Sequence, residues 1–149
     1  ASFLCAQQAI PHMKAAKAGA IINMSSTAGL FGYPMRTPYA AAKWGLIGLT
    51  KSMAMELGPW GIRVNAICPG SVEGPRMDAV MAAEATKRGS APEDVRTTYT
   101  KGVSLRTFVT AQDIANMALF LCSPAGARVS GQAIPVDGHT EFNGTMEAQ

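Results

Sequence analysis

The stretch GIRVNAICPG, residues 61–70, is an apolar run that starts on a glycine and is closed by Pro-Gly. An apolar segment of this length between turn residues reads as a β-strand. Two further runs have the same build: GAIINMSS (19–26), rich in β-branched residues, and GQAIPVDG (131–138). Helical patterns separate them. One spans Ser2 to Lys17, one begins at Pro38, and two or three lie between Gly70 and Gly131. Ser90-Ala91-Pro92-Glu93 has the form of a capping box. Thr110 to Asp113 opens a helix whose apolar residues include Ile114, Met117, Ala118 and Leu121. Strands joined by helical crossovers imply a parallel sheet covered on both faces, an α/β architecture. The first strand is expected to be buried on both faces. Three such strands alone leave a long apolar edge, so the pattern reads as the second half of a larger sheet.

Composition narrows the function classes. A chain of 149 residues that is 48% hydrophobic can bury a substantial core as one domain. The net charge of +3 is mild, and no basic run or aromatic-basic alternation points to nucleic acid. Cys5, Cys68 and Cys122 are odd in number and widely spaced, so they read as buried thiols rather than a disulfide framework or zinc site. Metal-ligand spacing is absent and no metal is expected. No run approaches a membrane span and the start lacks the build of a signal peptide, which reads as a soluble, cytoplasmic protein.

The segment TPYAAAKWGLIGLT (37–50) is helical for local reasons. Thr37 suits the N-cap, Pro38 the first helical position, and Gly58-Pro59 the stop. Leu46, Leu49, Met53 and Leu57 form the expected buried stripe. Tyr39 and Lys43 then lie one turn apart on one face, with Cβ atoms ~5–6 Å apart.

Five motifs occur in order: SSTAG (25–29), YAAAK (39–43), RVNAICPG (63–70), DIANMALFLCS (113–123) and SGQAIPVDG (130–138). Together they closely resemble the short-chain dehydrogenase/reductase family, of the kind that includes 3-oxoacyl-carrier-protein reductases and many sugar and alcohol dehydrogenases. The resemblance implies a doubly wound, Rossmann-type parallel sheet. Residues 1–149 correspond to the C-terminal catalytic portion of that single domain. The family's T-G-x-x-x-G-x-G loop, which binds the dinucleotide pyrophosphate, is not found in these residues, so the N-terminal cofactor-binding half is missing from them.

The same resemblance implies an NAD- or NADP-dependent interconversion of a small-molecule carbonyl and a secondary alcohol. Hydride transfer to a carbonyl carbon builds negative charge on its oxygen, and a positioned proton donor lowers that barrier. Tyr39 is the implied general acid/base, with the Lys43 ammonium and the helix N-terminus favouring its phenolate form. Ser26, thirteen residues before Tyr39, is implied to orient the substrate oxygen. Lys43 and Tyr39 also face the nicotinamide ribose, and Pro69, Gly70 and Val72 pack on the nicotinamide. Gly74 stands where many members have threonine. Residues 71–105 correspond to the substrate lid, with Met77, Met81, Tyr99 and Val103 as wall residues.

Other residues read as structural. Asn23 lies within a strand and does not replace the family's catalytic asparagine, which falls before Ala1. Asn65 caps or bridges buried backbone groups, Cys68 is a buried thiol, and His12 and His139 are surface residues, although His139 is also able to face the substrate. A homodimer or homotetramer is implied, with Trp44, Leu49, Met53 and Met55 offering excess apolar surface. The alternative is a catalytically incompetent piece that acts only as a structural or interaction module.

Overall fold

The computed structural model describes residues 1–140. Helix α1 (Ser2–Ala16) leads into strand β1 (Gly19–Met24), and helix α2 (Thr37–Leu57) into strand β2 (Ile62–Pro69). Helices α3 (Pro75–Arg88), α4 (Pro92–Lys101) and α5 (Ala111–Cys122) follow, and strand β3 (Ala133–Val136) ends the order. The strands form one sheet in the order β1-β2-β3, both pairings parallel. Ile21 lies beside Val64, and Ile67 beside Ile134.

Strand alternation decides which helix covers which face. Ile62 and Val64 point toward α1 and α2, where they form a core with Ala6, Met53 and Leu57. Arg63 and Asn65 point the other way. Their side chains donate to the carbonyl oxygens of Leu121, in α5, and Val129. Helices therefore lie on both faces of β2, the doubly wound α/β arrangement expected from the alternating pattern.

Element ends differ from the sequence reading by one or two residues. Strand β1 keeps its first glycine but ends before Ser25, and β2 and β3 stop short of the glycines at both their ends, because those residues turn the chain. Ser25 NH still donates to Ile67 O at 2.8 Å after β1 has ended. Thr37 is the first residue of α2 rather than its cap, a position held by Arg36. The expected box at Ser90 is displaced by one residue. The cap of α4 is Ala91, whose NH is accepted by the Asp94 carboxylate at 3.2 Å.

Four expectations about burial are corrected. In α2 the fully covered residues are Ile47, Thr50, Met53 and Leu57, while Leu46 and Leu49 are half-buried. The stripe is rotated because Thr50 satisfies its hydroxyl twice, donating to Leu46 O and accepting from Asn23 Nδ2. Met53 therefore belongs to the sheet-facing core and is not spare surface, whereas Trp44 and Met55 are exposed. Strand β1 is only partly covered at Ile21 and Ile22, since it pairs through one edge alone among the described residues. Of the cysteines, Cys68 is buried but Cys5 and Cys122 are exposed on helix surfaces. Among the described residues no helix is long and apolar enough to cross a membrane.

Candidate functional site

In a parallel sheet, the loops after the strands meet at one edge and form a crevice there. Here those loops enclose a cavity of about 810 Å³. Ser26, Tyr39, Lys43, Pro69, Gly70 and Val72 all line it. Every residue that the resemblance assigned to catalysis or cofactor contact thus faces the same space.

Local chemistry explains each position. Ser26 caps a single 3₁₀ turn (Thr27–Gly29), its Oγ accepting from Ala28 NH at 3.2 Å, while the chain itself is extended. Tyr39 stands in the first turn of α2, with 37% of its surface exposed to the cavity and solvent. One turn later the Lys43 ammonium lies 5.5 Å from the centre of the Tyr39 ring and donates to Met24 O at 3.0 Å. Ser25 is buried behind them and donates to Lys43 O at 2.9 Å. Gly29 is where the 3₁₀ turn touches α2. A Cβ there would lie 2.7 Å from Ser25 Oγ and 2.8 Å from Lys43 O.

The β2 side is built by close backbone approach. Gly70 packs on Asp137, whose Cβ would be 2.8 Å from any added Cβ. Val72 bridges to Val109, with Glu73 NH donating to Val109 O at 2.9 Å and Val109 NH to Ser71 O at 3.0 Å. Cys68 is fully buried beneath Ser25 and Ser26. Burial pushes its thiol up, which opposes thiolate chemistry there. Gly74 has φ 136°, a conformation open to glycine alone, so a threonine at this position requires a different backbone path.

Helices α3 and α4 roof the cavity around their own small core of Met81, Ala85, Val95 and Phe108. Met77, Tyr99 and Val103 face the cavity as expected. Met81 does not, because it packs between the two helices. The Tyr99 hydroxyl donates to Glu84 Oε2 at 2.9 Å, and burial, followed by the Glu84 carboxylate, raises it above the ordinary tyrosine value. His139 is exposed, and its Nδ1 lies 2.6 Å from Ser104 Oγ. Asn65 and Asn23 hold backbone and Thr50 respectively and stay out of the cavity. Among the described residues no group of three or more His, Cys, Asp or Glu is arranged to hold a metal ion.

Two cavity residues escape a motif-based reading. Tyr33 stacks edge-on against Tyr39, ring centres 6.3 Å apart, and Arg36 lies 5.8 Å over the Tyr33 ring. Both belong to the loop between β1 and α2. Their signal was positional: side chains in loops at the carboxyl ends of parallel strands are candidates whatever their motif.

A family model described as enoyl-(acyl carrier protein) reductase matches residues 1–139. The chain is 38% identical over 138 residues to D-beta-hydroxybutyrate dehydrogenase of Rhizobium meliloti (strain 1021), covering 92% of this chain and 54% of that protein. It is 38% identical over 136 residues to the 3-oxoacyl-[acyl-carrier-protein] reductase FabG of Thermotoga maritima, covering 91% and 51%. Among solved structures, sorbitol-6-phosphate 2-dehydrogenase SrlD from Erwinia amylovora superposes with a TM-score of 0.87 at 34% identity, over 92% of this chain and 54% of that one. ElxO with NADP bound (TM-score 0.78, 28% identity) matches 92% of this chain and 52% of its own. A 4-hydroxyisoleucine dehydrogenase complexed with NADH (TM-score 0.72, 30% identity) matches 92% and 53%. The chain spans about half the length of the curated relatives it matches.

Proposed function

The chain belongs to the short-chain dehydrogenase/reductase family, and we propose that its protein interconverts a carbonyl and a secondary alcohol with NAD or NADP. The observation that carries this reading is the convergence of Ser26, Tyr39 and Lys43 with Pro69, Gly70 and Val72 on one cavity at the carboxyl edge of the sheet.

The donor set suits a nicotinamide riboside. An ammonium has three N–H donors, and Lys43 places one on Met24 O, leaving two for the ribose hydroxyls. Pro69, Gly70 and Val72 supply a backbone wall for the ring. When bound, the nicotinamide gives or takes the hydride at the substrate carbon. In reduction the Tyr39 hydroxyl gives its proton to the substrate oxygen, and in oxidation it takes the alcohol proton. The Ser26 hydroxyl donates to that same oxygen and holds it against Tyr39. Lys43 and the N-terminal end of α2 add positive potential where negative charge develops. Residues 71–105, which carry α3 and α4, act as the substrate lid. A dimer or tetramer using the exposed face around Trp44 and Met55 belongs to the same reading. The relatives' names, a hydroxybutyrate dehydrogenase and an oxoacyl-thioester reductase among them, support a hydroxy or oxo compound as substrate.

Steady-state assays on the natural full-length protein test the reading. Tyr39→Phe is expected to lower kcat by about 10²–10⁴ with an unchanged melting temperature. Turnover within a few-fold of the parent removes Tyr39 from the mechanism. Lys43→Met is expected to lower kcat and weaken cofactor binding together. A structural module, by contrast, shows no saturable nicotinamide binding in the parent protein.

A further inference from the structure

Five charged side chains line the cavity: Arg36, Lys43 and Arg76 against Glu73 and Glu84. Both acids are already engaged. Glu73 Oε1 accepts from Arg96 Nη2 at 2.6 Å. Glu84 pairs with Arg88 at 2.5 Å and accepts the Tyr99 hydroxyl. Lys43 is directed toward Met24 O and the Tyr39 ring. Arg36 and Arg76 form no ion pair among the described residues. The cavity is thus left with two uncompensated guanidinium groups, one on each wall.

Their placement is specific. Arg36, the N-cap of α2, precedes Tyr39 by three residues at the mouth of that helix. Its guanidinium is held over the Tyr33 ring, which in turn abuts Tyr39. Arg76 reaches in from the first turn of α3 on the opposite wall. A guanidinium presents a planar fork of donors that matches carboxylate and phosphate oxygens, and hydrogen bonds to such anions are the stronger kind.

We propose that the substrate carries a carboxylate or phosphate group held between Arg36 and Arg76 while its carbonyl or hydroxyl lies at Tyr39. This rests on the dehydrogenase reading for the reacting end and adds the recognition of the other end. Because the Arg36 guanidinium lies over the Tyr33 ring that abuts Tyr39, the anion and the reacting carbon are separated by only a short run of atoms. The phosphates of a dinucleotide share the same chemistry, so the test separates substrate from cofactor.

The probes are two pairs, each an anionic ketone and an uncharged counterpart: 4-oxopentanoate against its methyl ester, and dihydroxyacetone phosphate against dihydroxyacetone. Binding to the natural full-length protein is measured by calorimetry, alongside NAD and NADP binding and nicotinamide turnover. The anionic member of at least one pair is expected to bind about 10-fold or more tightly than its neutral partner. Which pair shows it distinguishes carboxylate from phosphate. Arg36→Met and Arg76→Met, both at exposed positions, are each expected to erase most of that preference and leave neutral-ligand affinity unchanged. Equal affinity within both pairs overturns the proposal. So do variants that weaken NAD or NADP binding while leaving the anion preference intact. Charge preference without any turnover supports the anion site and counts against the dehydrogenase reading. Turnover without charge preference does the reverse.

Discussion

The hydroxyl of Ser25 donates to the carbonyl oxygen of Lys43 at 2.9 Å, and the Lys43 ammonium returns to Met24 O at 3.0 Å. The exit of β1 and the second turn of α2 are therefore laced together in both directions. Ser25 has no place in the cavity chemistry proposed for Ser26, yet it sets the distance between Ser26 and the Tyr39-Lys43 pair. Ser25→Ala is expected to cost about 0.5–1.5 kcal/mol of stability, the usual net worth of such a bond. Turnover should fall further than that loss explains, and rescue by Ser25→Thr checks that the hydroxyl is responsible. Urea melts beside kcat measurements read both effects.

Gly29 is the contact point of the same junction. Gly29→Ala forces a methyl group to within 2.8 Å of Lys43 O and 2.7 Å of Ser25 Oγ. The cost is expected to be about 1–3 kcal/mol, as for other overpacked sites. Gly32→Ala, with nothing within 4 Å of the added atom, is the control and should leave stability and turnover nearly unchanged.

Asn65 is fully buried in β2 and satisfies two backbone groups, donating to Val129 O at 2.8 Å and accepting from Gln132 NH at 3.1 Å. Asn65→Ala orphans the Gln132 NH and leaves Val129 O with only the long 3.5 Å bond from Arg63 Nη1. A loss of about 2–4 kcal/mol is expected, seen as a lower midpoint in thermal or denaturant unfolding. A loss below about 0.5 kcal/mol would mean that water replaces both bonds.

The carboxyl of Asp113 lies below the ordinary carboxylate value, because Thr110 donates to it from its backbone NH at 2.7 Å and its hydroxyl at 2.8 Å. A group depressed in the folded state stabilises it above the unfolded value and loses that contribution as pH falls through the folded one. The parent protein should accordingly be more stable than Asp113→Asn at neutral pH. The gap should narrow once pH drops below about 4, the ordinary aspartate value. Unfolding midpoints measured across the acid range for both proteins test this, and a constant gap contradicts it.

The alternation of apolar runs and capped helices made the element order and the parallel sheet legible in the sequence. So was the meeting of the candidate site residues, since Ser26, Tyr39 and Lys43 sit in motifs whose order and spacing carry them to one edge. Three things were not legible. The buried face of α2 is set by Thr50, a polar residue that qualifies for the core only because Asn23, far away in sequence, supplies its partner. The supporting role of Ser25 depends on which way the chain leaves β1, a choice that two adjacent serines do not announce. Arg36 and Tyr33 lie in a loop without periodicity, where only the fold reveals that they face Tyr39.

The two walls of the cavity rest on separate hydrophobic foundations. Tyr39 and Lys43 stand on the core formed by α1, α2 and β2, whereas Met77 and Tyr99 stand on the cluster that α3 and α4 share with Phe108. Damage to one foundation is not passed to the other by direct packing between these clusters. The α3–α4 pair can therefore be redrawn residue by residue, or grafted from a relative, without disturbing the packing beneath the helix that carries Tyr39 and Lys43.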